Sequence, residues 1–461
     1  MDTPSRRTAV RVVALVLVVS LLTPAAVSAI TYEPADETTL TRGTVTSPAN
    51  GSTVVSVQGY TFQGNTNRKK PARIISVGER GQTQWVHNDS VDDGAWFFDV
   101  DPMPNGNLLV SSPRSGQTVV YELDPDTQER VWQKTFDIED THDVDVLSED
   151  EIVVANMREW NESTKTSEDR IFVYNRTTEE ITWEWYFKNH FPEDTDGGHN
   201  ADWSHVNDVD PISDDRLVLS PRNFDQVVVV DMETKNITNR LGSDDNYEVM
   251  NEQHNPDWFL SENGTPTILV ADSGNNRIVE YAYENGEWVR TWNVGSNTLN
   301  WPRDADRLPN GNTLITDTLN HRVMEVTPTG EVVWEYYATW GPYDAERVAH
   351  GDESSGPTIR DMNASGTYAI TGSANLSAGS GEDVGFAGQM RATFAGTVLE
   401  EPMNEFATRW AHVTPWLRPV WMSGWDFVWV IGALLVVLAW GGTELVLGRR
   451  RIAATVRSVR Q

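Results

Sequence analysis

Three histidines, His142, His205 and His254, occupy the same short segment of three look-alike stretches, "THDVDVL", "DWSHVNDVD" and "EQHNPDWF". Asn207 lies just beyond His205, Arg222 closes the next strand-like run "LVLSPRN", and Arg303 takes the corresponding place in "WPRDADRL". Imidazoles, an amide and guanidinium groups together form a positively polarised, donor-rich set, which is what a sulfate or phosphate ester requires. Three neutral imidazoles can also hold zinc, but Arg222 beside a divalent cation is unfavourable, so no metal is assigned. One histidine at a strand end is ordinarily a hydrogen-bonded structural group; three in register reverse that reading.

Positioning such a set needs a repeat that returns to one axis. Five segments align on a shared aspartate: Asp99 in "WFFDVDPMPNGNLLVSSP", Asp143, Asp208, Asp257, and Asp304 in "WPRDADRLPNGNTLITDT". Each continues through a polar or glycine turn into alternating strands, as in "NTLITDT", "HRVMEVTP" and "GEVVWEYY". A period of roughly 40 to 50 residues built from short antiparallel strands predicts a β-propeller. Adding "RIISVGERGQTQWVH" before the first copy and "VAHGDESSGPTIRDMNASGTYAITGS" after the last gives six four-stranded blades as the best count. In a propeller, equivalent repeat positions face one central channel. The shared aspartate recurs in copies without histidine, so it reads as a structural turn or strand-edge residue.

The 461 residues carry 68 acidic and 36 basic side chains, a net charge of −32, and only six of the basic residues are lysine. A surface this negative repels nucleic acid and reads as salt-adapted, its self-repulsion screened by high ionic strength. Cysteine is absent, which removes disulfides and thiolate chemistry. Residues 1–30 place Arg6, Arg7 and Arg11 before an apolar run, in the form of a signal peptide cleavable after Ala29 or an uncleaved anchor. "WDFVWVIGALLVVLAWGGTELVLGRRR" reads as a transmembrane helix over 425–447, followed by a basic cytoplasmic tail over 448–461. The propeller over 31–400 and a linker over 401–424 then lie outside the cell. Sequons at Asn88, Asn161, Asn175, Asn236, Asn263, Asn363 and Asn375 are compatible with a glycoprotein.

Across about residues 90 to 340, "THDVDVL", "DWSHVNDVD" with "SPRN", and "EQHNPDWF" resemble the arylsulfate sulfotransferases (ASST), here as a membrane-anchored member of haloarchaeal type. The resemblance implies a six-bladed propeller that moves a sulfuryl group from an aryl sulfate to a phenol through a sulfohistidine, with no nucleotide cofactor. It implies His254 as nucleophile and His142 as the group that assists proton transfer. His205, Asn207 and Arg222 would then hold the sulfuryl oxygens, with Arg303 a further substrate contact. "VADSGNNRIVEY" and "ITDTLNHRVMEV" resemble NHL-type repeats, and the alternative function is a noncatalytic extracellular propeller that binds glycans, sulfated ligands or proteins.

Overall fold

Six antiparallel sheets surround a channel, and the chain closes the ring with strands from its two ends. In the computed structural model, which describes residues 6–32, 39–59, 70–88, 96–114, 116–296, 298–372 and 385–459, five blades run in sequence order from inside outward. Their inner strands are Asp99–Pro102, Val144–Val146, Val206–Ser213, His254–Leu260 and Pro302–Arg307. The closing blade takes its inner strand, Pro342–Arg347, from after the last repeat and pairs it with Thr53–Val57, Arg73–Val77 and Thr83–His87. Thr41–Val45 adds a fifth strand to the blade before it. Closure of this kind joins the two ends of the ring and leaves each blade only short, protected edges.

The middle strands are nearly continuous runs of apolar residues, such as "RLVLSP" and "QVVVVD", because neighbouring blades cover both of their faces. Val153, Trp185, Val206, Leu217 and Val228 form one such inter-blade core, all essentially inaccessible. The repeated "D-x-x-N-x-R" of the NHL-like stretches is a turn clasp. Asp272 accepts from Asn251 N at 2.8 Å and pairs with Arg277 at 2.6 Å; Asp317 does the same with Asn300 N and Arg322, at 2.8 Å each.

The shared aspartate recurs a sixth time, as Asp344 in the closing strand, and its role is now specific. Inner strands of adjacent blades do not pair, so their edge N–H groups need other acceptors. Asp99 accepts from Val144 N at 3.0 Å, Asp344 from Val100 N at 3.1 Å and Asp304 from Ala345 N at 3.2 Å, while Asp143 accepts from Val209 N. Each carboxylate stitches its blade to the next. Asp257 instead accepts from Ser354 N at 3.1 Å, in the segment after the closing strand, which the sequence reading had used to complete the sixth blade. From that segment Gly366–Tyr368 runs parallel to the outer edge of the blade that begins with His254–Leu260.

After the propeller come α2 (Phe386–Phe394) and α3 (Glu400–Leu417), so most of the segment read as a linker is helical. The chain divides into two compact units, Leu40–Pro415 and a second made of Met1–Thr39 with Trp416–Gln461. In the second unit α1 (Arg6–Thr31) packs antiparallel against α4 (Gly424–Val459). Arg11 Nε and Nη2 bind the two carboxylate oxygens of Glu444 at 2.8 Å each, and Ser28 Oγ donates to Asp426 at 2.9 Å. Both helices are long and apolar enough to cross a membrane. The sequon at Asn375 falls outside the described residues.

Candidate active site

At the start of the inner strands the backbone departs from the regular ladder. His205, Asn255 and Trp301 have φ of 41°, 37° and 55°, and β-bulges follow between Val206 and Val209, His254 and Asp257, and Pro302 and Asp304. Bulges re-aim side chains without ending the strand. Here Asn207, Asn255 and Arg303 fall inside the bulges. The residues that could do chemistry are therefore set at the mouth of the strands, while the aspartates of the regular portion line the channel beyond.

Around Tyr343, on the closing strand, the predicted residues converge. His142 Nδ1 lies 2.8 Å from the Tyr343 hydroxyl, and the His142 ring is 5.1 Å from His205, centroid to centroid. The Tyr343 ring is 5.9 Å from the His254 ring, and the Arg303 guanidinium lies over it at 4.5 Å. Arg303 also donates to Gln58 from the closing blade. Arg222 returns to this rim as the first residue of the turn Arg222–Phe224, and its backbone N–H points at the His205 carbonyl at 3.4 Å. In the next two blades the same turn position holds Ser273 and Thr318. Asn207 Nδ2 donates to Gln253 O at 2.9 Å, leaving Oδ1 buried without a partner. His199, nearby in sequence, packs on Trp203 at 4.0 Å and accepts from Ser167 N instead.

Hydrogen bonding fixes the tautomer of His254. Its Nδ1 is 3.1 Å from Glu252 O, which can only accept, and 2.8 Å from Ser273 Oγ, whose proton goes to Pro302 O at 2.6 Å. Both partners require a proton on Nδ1, so Nε2 carries the lone pair, and that atom is buried with no hydrogen-bond partner. Burial first, then the charges of Arg303 and Arg222, hold the His254 pKa well below the ordinary histidine value. An unprotonated ring nitrogen is the form that can attack sulfur or phosphorus.

His205 is arranged differently. Its Nδ1 sits 2.7 Å from Asp202, and Nε2 is likewise without a partner. Burial and the Arg222 charge push its pKa down to about 3, against the pull of Asp202. Arg158 bridges Asp202 and Asp140 at 2.8 Å each, and Asp140 lies 3.7 Å from His142 Nε2. Burial raises Asp140 to about 6, with Arg158 opposing. The carboxylate 3.7 Å from Nε2 favours the tautomer protonated there, in which Nδ1 accepts from the Tyr343 hydroxyl, giving the line Tyr343, His142, Asp140. Tyr343, Asp140, Arg158 and Asp202 are not legible as site residues; Asp140 immediately precedes "THDVD", two residues upstream of His142, and that proximity is the available signal.

No curated protein matches the chain. Similar solved structures include a protein of unknown function from Bacteroides caccae (TM-score 0.43, 14% identity, covering 65% of this chain and 98% of that one). A putative 6-phosphogluconolactonase from Bacteroides fragilis NCTC 9343 gives 0.41, 13%, 65% and 99% on the same measures. A virginiamycin B lyase from Staphylococcus aureus gives 0.34, 10%, 54% and 71%. The family model described as Arylsulfotransferase (ASST) matches residues 45–290 of the 461, a stretch that contains His142, His205, Asn207, Arg222 and His254. Matched over more than half its length, the chain belongs to the arylsulfotransferase family.

Proposed function

We propose that this arylsulfotransferase carries a sulfuryl group from an aryl sulfate to a phenol on His254, without a nucleotide cofactor. The observation that carries the reading is the bare, buried Nε2 of a neutral His254 within the electrostatic reach of Arg303 and Arg222. Nε2 forms a bond to sulfur as the sulfur–aryl oxygen bond breaks, and the phenolate leaves with the electron pair. The acceptor phenol then gives its proton to Tyr343 as Tyr343 passes its own to His142 Nδ1, and the phenol oxygen displaces His254 from sulfur. The proton held on His142 beside Asp140 returns to the next phenolate. Charge spreads over the sulfuryl oxygens in a loose transition state, so Arg222 and Arg303 supply fixed positive charge where it develops, and His205 adds a donor there once its Nε2 takes up a proton.

The direct test is mass spectrometry after brief exposure to an aryl sulfate with an acidic phenol, which should show one sulfuryl adduct, on His254. An adduct on His205 instead would move the nucleophile. Because His254 stays neutral below the ordinary histidine pKa, the first release of phenol should be flat from about pH 7.5 to about 5.5. A fall centred near the ordinary value of about 6.5 would count against the tautomer argument. Replacing Tyr343 by phenylalanine should slow transfer to weakly acidic phenols by roughly 10²-fold and leave adduct formation little changed. Equal loss in both half-reactions would remove Tyr343 from the proton path.

The anchored, salt-adapted form of the protein belongs to the same proposal. Arg6, Arg7 and Arg11 at one end of α1 and Arg449, Arg450 and Arg451 toward the end of α4 keep positive charge on one side, with the propeller outside the cell. An Arg–Glu pair between two spans is costly to separate in lipid, so α1 is read as retained and not as a cleaved signal. Peptides from residues 12–30 should be recovered from the mature membrane protein; a mature N-terminus after Ala29 would show cleavage.

A further inference from the structure

The channel below the histidines is lined by carboxylates from every blade, and a second acidic layer follows the stitching aspartates. Asp145 and Asp210, two residues beyond Asp143 and Asp208, meet Asp352 and Glu353 from the segment after the closing strand, with ligand oxygens all within 4.8 Å of one another. That segment is held in place by Ser354, whose N–H and hydroxyl bind Asp257 and whose Oγ accepts Arg307 N at 2.6 Å. The acidic cluster is thus built by the fold, not gathered at a surface.

Independently of their proximity, several of these oxygens lack any partner. Asp208 Oδ2, Asp306 Oδ2 and Glu346 Oε2 are orphaned acceptors on residues 4%, 4% and 2% exposed, and both Glu353 oxygens are buried and unpartnered as well. All four residues line one cavity of about 20 Å³ together with Asp210 and Asp352. The nearby arginines donate elsewhere, Arg307 to Glu280 at 3.1 Å and Arg347 to Glu325 at 2.9 Å, although the Arg347 charge still reaches Asp306 and Glu346. Buried acceptors with no donor each cost free energy, and closely packed carboxylates repel unless a counter-charge joins them. A space of this volume takes one small particle.

We infer that the lower channel binds one divalent cation of calcium type through Asp145, Asp210, Asp352 and Glu353. Carboxylate oxygens are hard donors, and a cage contributed by three separate segments, with further oxygens at its wall, suits the high and flexible coordination of Ca²⁺ better than the strict octahedron of Mg²⁺. The ion neutralises the acid ring and locks the 352–353 segment to the two blades that carry Asp145 and Asp210. The inference does not depend on the sulfuryl chemistry above it.

The test uses the full chain in detergent, freed of metal by a chelator, at constant monovalent salt. Titration with CaCl₂ should show one Ca²⁺ per chain by calorimetry, and about 1 mM Ca²⁺ should raise the melting temperature over the chelated protein. The Asp352→Asn/Glu353→Gln double variant should bind Ca²⁺ at least about tenfold more weakly, a loss of about 1.4 kcal/mol, and should melt at or above the chelated wild type. Absence of both calcium heat and thermal shift in the wild type overturns the inference. So does undiminished binding by the double variant, which would place the ion elsewhere. Because the wild-type titration needs no variant to fold, a misfolded variant leaves that arm decisive, and Asp210→Asn then serves as the second probe.

Discussion

His254→Ala is expected to reduce sulfuryl transfer by roughly 10³-fold or more and to abolish the covalent adduct. The reason is geometric: among the three site histidines, His254 alone has no carboxylate beside its ring, only a carbonyl and a hydroxyl on Nδ1, and burial with the Arg303 and Arg222 charges outweighs the carbonyl's pull toward the cation. His205 has the Asp202 carboxylate at 2.7 Å, a pairing that suits it to polarise or carry a proton. His142 is committed on both sides, to Tyr343 and Asp140. The substitution should leave the fold intact, because Ser273 keeps its bond to Pro302 O and the blade ladders do not involve the ring. The comparison is turnover of an aryl sulfate with the variant and the wild type, alongside melting curves. Full turnover by the variant would sink the nucleophile assignment, whereas His205→Ala should retain a slowly formed adduct on His254.

The largest stability effect is expected from Glu280→Ala, about 3 to 5 kcal/mol. Glu280 and Arg307 are both fully inaccessible and meet at 3.1 Å. Glu280 also accepts from Thr291 Oγ1 at 3.0 Å and from Ile359 N at 3.1 and 3.2 Å. Burial pushes the Glu280 carboxyl up and the Arg307 guanidinium down, so each depends on the other to remain charged. Removing the carboxylate strands a buried cation and frees the segment that carries Asp352 and Glu353. Denaturant unfolding of the full chain measures the loss. Glu179→Ala, which breaks the exposed contact with Lys134 at 3.5 Å, should give no measurable change; comparable losses in both variants would refute the burial argument.

Legibility differed sharply among the site residues. His142, His205 and His254 could be placed on one rim because each lies one to three residues before an aspartate whose recurrence is visible along the chain. Arg222 could be placed because one strand and its turn return the chain to the rim it left. Tyr343 could not. Its strand "PYDAER" carries the sixth aspartate but lacks the following hairpin, since its partners Thr53–Val57 and Arg73–Val77 come from the other end of the propeller sequence. The recurring aspartate is legible as a strand-edge residue, but not that Asp99, Asp143, Asp304 and Asp344 join neighbouring blades through backbone N–H groups, nor that the set forms the channel wall.

What the sequence by itself determined is what repeats locally: strand alternation, blade period, the offset of each histidine, the acidic surface and the two apolar helices. Those follow from side-chain periodicity over a few residues, which needs no knowledge of distant partners. Only the tertiary structure decided which nitrogen of His254 is bare, that Arg158 ties Asp140 to Asp202, and that two carboxylates from beyond the last blade enter the channel. Protonation, orphaned acceptors and ring closure depend on atoms brought together from segments far apart in the chain, and a repeat pattern carries no record of them.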